Sequence, residues 1–414
     1  VIVRGLAYID GGLVDVDIFV DGEYISKISK YGVLSDDVVY DFGRKGFLIL
    51  PGMIDIHVHL RDFNYSYKED FYTGTASAAA GGVCVVCDMP NTDPRVNSLW
   101  SLCYRDKVAS LHSLVDYGLY YGVPESGDEL EGIEGLAVGM KIYPMDLLKD
   151  PGLLDTVFRY NAMNGVLTVF HPEDPSDVVR GVRVLESEVR AIDYIISLYK
   201  KYGLKTHITH VTSVDSVERL SRFEKVSSDT CPHYLLLSSD KCTSKYFRVT
   251  PPLRGEDVRV GLLDAFCKGL IDVYATDHAP HAYWEKVDGD WSGFPGLETA
   301  LPLLLDMFKK GLISLDMVVD TFSSNPARIL GIDDRYGFIR EGYLASLTVV
   351  DVSCEYRVDP SRFYSKAKHS PFDGWVLNGC VVATFVRGEP IYYGGDIVGR
   401  RGWGRNIVRE GSAI

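Results

Sequence analysis

The stretch Pro51-Gly52-Met53-Ile54-Asp55-Ile56-His57-Val58-His59-Leu60-Arg61-Asp62 passes from a Pro-Gly break through an apolar run into two histidines, an arginine and an aspartate. A short apolar run bounded by turn residues reads as a strand buried on both faces, the kind found in parallel sheets. Side chains alternate along a strand, so His57 and His59 project from one face and can reach one ion where the strand ends. Chemistry placed at the C-terminal end of such a strand is the habit of repeated βα units.

Working outward, seven further strand-like runs end near Asp88-Met89-Pro90-Asn91, Tyr121-Gly122-Val123, Lys141-Ile142-Tyr143, Phe170-His171, Thr209-His210, Asp229-Thr230-Cys231 and Thr276-Asp277-His278. Amphipathic segments follow most of them: Leu99 to Leu114, Ser187 to Tyr202, Asp215 to Glu224, Val258 to Lys268 and Leu297 to Lys310. The alternation predicts an α/β fold, a (β/α)8 TIM-like barrel over residues 49–335, with Pro124 to Leu136 as its weakest helix because that unit is rich in Gly and Glu. Residues 1–48 and 336–414 are instead rich in Val, Thr, Tyr and Phe, with turns expected at Asp21-Gly22, Asn378-Gly379 and Arg387-Gly388. They predict a small β-sandwich domain formed by both termini.

Among the 414 residues, 43 Lys and Arg stand against 57 Asp and Glu, a formal charge of -14, and no basic stripe with interleaved aromatics appears. That balance speaks against nucleic acid or an anionic membrane surface as partner and for a small-molecule substrate. No run approaches the ~20 apolar residues of a membrane span, and Val1-Ile2-Val3-Arg4-Gly5 reads as a strand rather than a signal peptide. The eight Cys lie scattered in apolar stretches, and Cys84-Val85-Val86-Cys87 lacks a second CxxC to complete a zinc site, so buried free thiols in a cytoplasmic protein are expected.

A lone HxH is weak evidence for metal. Lys141, His171, His210 and Asp277 add four more side chains at the ends of other strands, and six together predict a metal centre at the barrel mouth. Lys141 is the odd member, because an ammonium is repelled by divalent cations. A neutral lysine amine, its pKa depressed, can add CO2 and become a carbamate that supplies a bridging carboxylate. An ordinary surface lysine is the other reading, although the apolar run Val138 to Tyr143 suits it poorly. Just past the first two strands, Arg61 and Asn91 offer a guanidinium fork and an amide donor for an anionic substrate; Arg61 paired to Asp62 or Glu69 is the structural alternative.

The chain resembles the amidohydrolase superfamily and, within it, the dihydroorotases. The likeness rests on residues 51–62, Lys68-Glu69-Asp70-Phe71, Met89-Pro90-Asn91-Thr92, Gly139-Met140-Lys141, Thr209-His210-Val211-Thr212, Thr230-Cys231-Pro232-His233-Tyr234, Pro251-Pro252-Leu253-Arg254 and Ala275 to His281. It implies two Zn2+ per chain, with His57, His59 and Asp277 on one, His171 and His210 on the other, and carbamylated Lys141 bridging both. It further implies that Asp277 is the catalytic acid and base, that Arg61, Asn91 and His281 hold the substrate carboxylate, and that the reaction is the reversible closure of N-carbamoyl-L-aspartate to L-dihydroorotate in pyrimidine synthesis. A homodimer and association with another pyrimidine enzyme belong to the same implication.

Two positions depart from the family pattern. Thr250 stands where dihydroorotases usually carry an Asn that contacts the substrate ring, and Phe63-Asn64 replaces the Pro-Gly of the first loop. Thr250 leaves open a hydantoinase or allantoinase acting on a neutral ring, and a catalytically silent homologue serving as a structural partner is the rival from another class. His112, His207 and His369 read as core or surface residues, and His233 and His278 as groups behind the ligands.

Overall fold

The computed structural model describes residues 1–36 and 38–409, so residues 410–414 of the expected terminal β-domain lie outside the described residues. The chain opens with five strands, β1 (Ile2–Ile9), β2 (Gly12–Asp21), β3 (Tyr24–Lys30), β4 (Val39–Phe42) and β5 (Phe47–Pro51). Eight more follow: β6 (Met53–Val58), β7 (Val83–Asp88), β8 (Asp116–Gly122), β9 (Gly139–Ile142), β10 (Thr168–Phe170), β11 (Thr206–Ile208), β12 (Val226–Thr230) and β13 (Val273–Tyr274). These eight pair in parallel and in sequence order, and a bridge between Val58 and His278 joins the two ends of the sheet into a barrel.

Helices Phe71–Ala80, Leu99–His112, Pro151–Met163, Leu185–Tyr202, Val214–Leu220, Glu256–Cys267 and Leu297–Lys309 pack outside. The unit after β8 has no α-helix among its described residues, only two short 3-10 turns, Gly127–Glu129 and Ile133–Gly135. Gly132 sits there at φ 86°, a conformation that ends a helix before it starts. The barrel interior is filled by Ile54, Ile56, Val85, Cys87, Tyr120, Val169 and Val273, a packed core rather than a pore.

The last strands, β14 (Leu347–Arg357), β15 (Val376–Val386), β16 (Glu389–Tyr393) and β17 (Asp396–Ile397), join the first five in one nine-stranded sheet. β14 lies antiparallel to β5, so both chain ends together build the terminal β-domain, as one nine-stranded sheet where a small β-sandwich was expected. The two sheets meet at Gly52, where an added Cβ would lie 2.5 Å from Cys84 Sγ; only glycine fits that approach. Asn378-Gly379 is not the turn its sequence suggests. It lies inside β15 at a register break, with Gly379 pressed on Leu305 and Asn378 bonded to Asp306 on helix Leu297–Lys309. Among the described residues no helix is long and apolar enough to cross a membrane.

Candidate metal centre and anion pocket

A register shift between Asp55 and Val58 breaks the alternation of β6. Ile54 and Ile56 belong to the interior cluster while Val58 joins the outer layer, so the shift is what turns His57 toward the barrel axis. His59 follows one residue beyond the strand. Asp277, held at φ 46° just past β13, completes the group: its Oδ1 is 3.3 Å from His57 Nε2 and 3.0 Å from His59 Nε2. His57, His59 and Asp277 thus offer ligand atoms within 4.8 Å of one another. His210, just past β11, is also left-handed at φ 40°; such backbone is costly and is tolerated where surrounding contacts enforce it. Here Asp229 accepts from the His210 amide at 2.6 Å.

The His210 ring lies 5.3 Å from that of His57 and 4.5 Å from that of His171. His171 Nε2 is 2.5 Å from Glu173, a contact that orients the ring. Lys141 is fully buried on β9, not on the surface, and donates to Thr209 Oγ1 at 2.8 Å. Burial pushes its ammonium down to about 7, against the pull of Asp229 and Asp277. Burial also lowers His57, His171 and His210, the last reinforced by its histidine and lysine neighbours. Burial would raise Asp277, but His57 and His59 outweigh it and hold the carboxylate well below its usual range. The donor set suits a borderline divalent ion: neutral imidazoles, an ionised carboxylate, and the Nδ1 atoms of His57 and His210 buried without a hydrogen-bond partner.

These groups floor a cavity of about 420 Å³ whose walls carry Arg61, Asn91, Thr250 and His281. Asn91 Oδ1 is 2.7 Å from His59 Nδ1, and Arg61 Nη2 is 3.1 Å from His281 Nε2. Arg61 therefore turns inward, away from the Asp62 or Glu69 pairing considered above. The loop at Phe63-Asn64 takes its own course, with Arg61, Asp62 and Phe63 all at φ between 49° and 56°. His233 and His278 stand behind the site, His278 Nδ1 accepting from Gly296 N. His207 bonds Asp229, and His369 bonds the carbonyl of His281. The sequence reading missed Tyr143, whose buried hydroxyl has no partner, and gave no role to Lys68 or Trp291, which also line the cavity. The position of Tyr143, two residues past Lys141 and one beyond the end of β9, was the available signal.

Family models match the chain in two places, an amidohydrolase family over residues 187–391 and a dihydro-orotase-like family over residues 46–126. The dihydroorotase of Pyrococcus furiosus is 35% identical over 99% of this chain and 97% of its own length. The chain belongs to the dihydroorotase family. A second dihydroorotase, from Pyrobaculum aerophilum, is 37% identical over 85% of this chain and 89% of its own. Among solved structures, the L-hydantoinase (dihydropyrimidinase) of Arthrobacter aurescens superposes with a TM-score of 0.88 at 28% identity, covering 98% of each chain. The dihydroorotase family thus shares its barrel and terminal sheet with enzymes named for other cyclic amides.

Proposed function

We propose that this protein is a dihydroorotase, closing N-carbamoyl-L-aspartate to L-dihydroorotate and hydrolysing it in reverse, for de novo pyrimidine synthesis. The observation that carries the reading is one cavity with metal-competent groups on its floor and Arg61, Asn91 and His281 on its wall. We assign His57, His59 and Asp277 to one Zn2+ and His171 and His210 to a second, with carbamylated Lys141 between them. When bound, such ions polarise the ring amide carbonyl and lower the pKa of water. Lys141 supports the assignment because an amine with a pKa near 7 is partly neutral at physiological pH, and a neutral amine adds CO2 with loss of one proton.

The chain's own residues divide the remaining work. Arg61, Asn91 and His281 grip the carboxylate that both substrate and product carry, which fixes the ring nitrogen and the reacting carbonyl over Asp277. In hydrolysis Asp277 takes the proton from the attacking water and delivers it to the leaving nitrogen; in closure it moves the proton from the carbamoyl nitrogen to the departing oxygen. The free thiols of all eight cysteines suit a reducing compartment, the cytoplasm.

Purified protein should contain about two equivalents of zinc and turn over dihydroorotate in preference to hydantoin and allantoin. Thr250 lines the cavity and favours a second reading, a neutral-ring amidohydrolase. Wild type and Thr250→Asn run side by side decide between them. We expect the two within about tenfold on dihydroorotate, since one neutral hydrogen bond is worth about 0.5 to 1.5 kcal/mol. A wild-type preference for either neutral ring would replace the substrate while leaving the metal chemistry intact.

A further inference from the structure

Behind the anion pocket lies a buried cation that touches no metal ligand. Lys68 is 2% exposed. Its Nζ stands 3.1 Å from His281 Nδ1, 3.0 Å from Glu285 Oε1 and 3.6 Å from the centroid of the Trp291 ring. An ammonium has three hydrogens and no lone pair, so these three neighbours use its whole capacity. Glu285 is itself fixed, accepting from Tyr67 Oη at 2.8 Å and from Ala282 N at 3.0 Å. The lysine comes from the loop after β6 and the glutamate from helix Tyr283–Val287, so the pair ties together two loops of the cavity wall.

The consequence falls on His281. A nitrogen that accepts from an ammonium is bare, and a neutral imidazole bare at Nδ1 carries its proton at Nε2. That proton meets the Ser292 carbonyl at 3.0 Å, and Nε2 lies 3.1 Å from Arg61 Nη2, which also bears hydrogen. Ser292 takes the Nε2 hydrogen, so Arg61 Nη2 meets a donor rather than a lone pair at His281, and its hydrogen stays available to an anionic oxygen. The opposite tautomer would undo it, because a bare Nε2 would accept from Arg61 and occupy the guanidinium. Burial, with the charges of Arg61 and Lys68 added, keeps His281 neutral, its pKa pushed down to about 2.

We propose that Lys68 is a positioning residue: it fixes His281 as the Nε2–H tautomer, whose hydrogen Ser292 holds, and so keeps the Arg61 guanidinium from being occupied by His281 and free for the substrate carboxylate. The proposal rests on the anion-binding reading given above and adds what enforces it. Its test compares metal-loaded wild type with Lys68→Met, with Lys68→Met/Glu285→Gln, which leaves no buried carboxylate uncompensated, and with Lys68→Arg. Three readouts apply: KM and kcat for dihydroorotate, Kd for orotate against uracil, which lacks the carboxylate, and histidine side-chain ¹⁵N shifts, with His281 identified by its loss in His281→Gln. We expect both Met variants to raise KM and the orotate Kd ten- to a hundredfold, to leave kcat within threefold and uracil binding unchanged, and to move the His281 proton to Nδ1. Lys68→Arg, which retains a donor, should keep the tautomer and recover most of the affinity. Unchanged orotate affinity in both Met variants, or a wild-type His281 protonated at Nδ1, overturns the proposal. Absence of dihydroorotate turnover in wild type overturns the proposed function instead, and the orotate and ¹⁵N measurements still decide the role of Lys68.

Discussion

At the scale of single residues, Lys141 on β9 and Tyr143 just past its end make the sharpest claims, because both line the cavity, Lys141 fully buried and Tyr143 with a buried hydroxyl. Lys141→Ala removes the amine that would carry the carbamate. Metal analysis should show loss of at least one equivalent and turnover should fall by several orders of magnitude, with partial recovery on adding small carboxylic acids. Full occupancy and normal rate in that variant would exclude the bridge. The Tyr143 hydroxyl has no protein partner, and burial with nearby Asp146 and Asp277 raises its pKa, against Arg95 and Arg61, so it stays a neutral donor. Tyr143→Phe should lower kcat/KM for dihydroorotate up to about tenfold, the worth of one hydrogen bond, without changing metal content. An unaltered rate would show that the hydroxyl does not meet the substrate.

At the scale of elements, the floor of the site depends on how β7 holds the chain leaving β6. Asp88, at the end of β7, accepts from Leu60 N at 2.7 Å and from Arg105 Nε and Nη2 at 3.0 and 2.7 Å. Arg105 rises from helix Leu99–His112 and is sandwiched by the rings of Phe63 and Phe71, 4.8 and 4.3 Å from its guanidinium carbon. Arg105→Met strands a buried carboxylate and should cost about 3 to 5 kcal/mol in urea unfolding, whereas Arg105→Met with Asp88→Asn should recover most of it. Equal losses in both would show that packing, not charge, is what matters there. The eight strand ends were legible in the sequence because apolar runs of parallel strands stop abruptly at polar residues, as at His57, Lys141 and Asp277. The unit Pro124 to Leu136, read as the weakest because of its glycines and glutamates, has no α-helix among its described residues, and Asn378-Gly379 misled because a bulge and a turn ask for the same residue types. The clustering of Lys68, Glu285 and Trp291 was not legible, since residues more than 200 positions apart meet only through the closed barrel.

At the scale of the whole molecule, Glu298, at the start of helix Leu297–Lys309, fastens the barrel to the connection between β14 and β15. Its carboxyl accepts from Tyr364 N at 2.7 Å and from Ser365 N at 3.1 Å, and burial pushes its pKa up to about 8 despite those bonds. A carboxyl raised in the folded state keeps its proton there while the unfolded chain has already lost it. Stability should therefore fall as pH climbs from about 4.5 to about 8, by about 1.4 kcal/mol per pH unit at most, and level off above. Thermal midpoints measured across that window should decline for wild type and flatten for Glu298→Gln; parallel curves would rule out this group as the source. The pairing of β5 with β14 carries a different consequence, one of timing. Leu347 sits opposite Pro51, and Thr348 opposite Leu50, so the apolar segment Phe47–Pro51 leaves the ribosome long before its partner strand is made. At about 5 to 20 residues per second that delay is roughly 15 to 60 seconds of synthesis. For that interval a sticky, unpaired edge rides on the nascent chain, and a ribosome that stalls inside the barrel releases a product ready to aggregate.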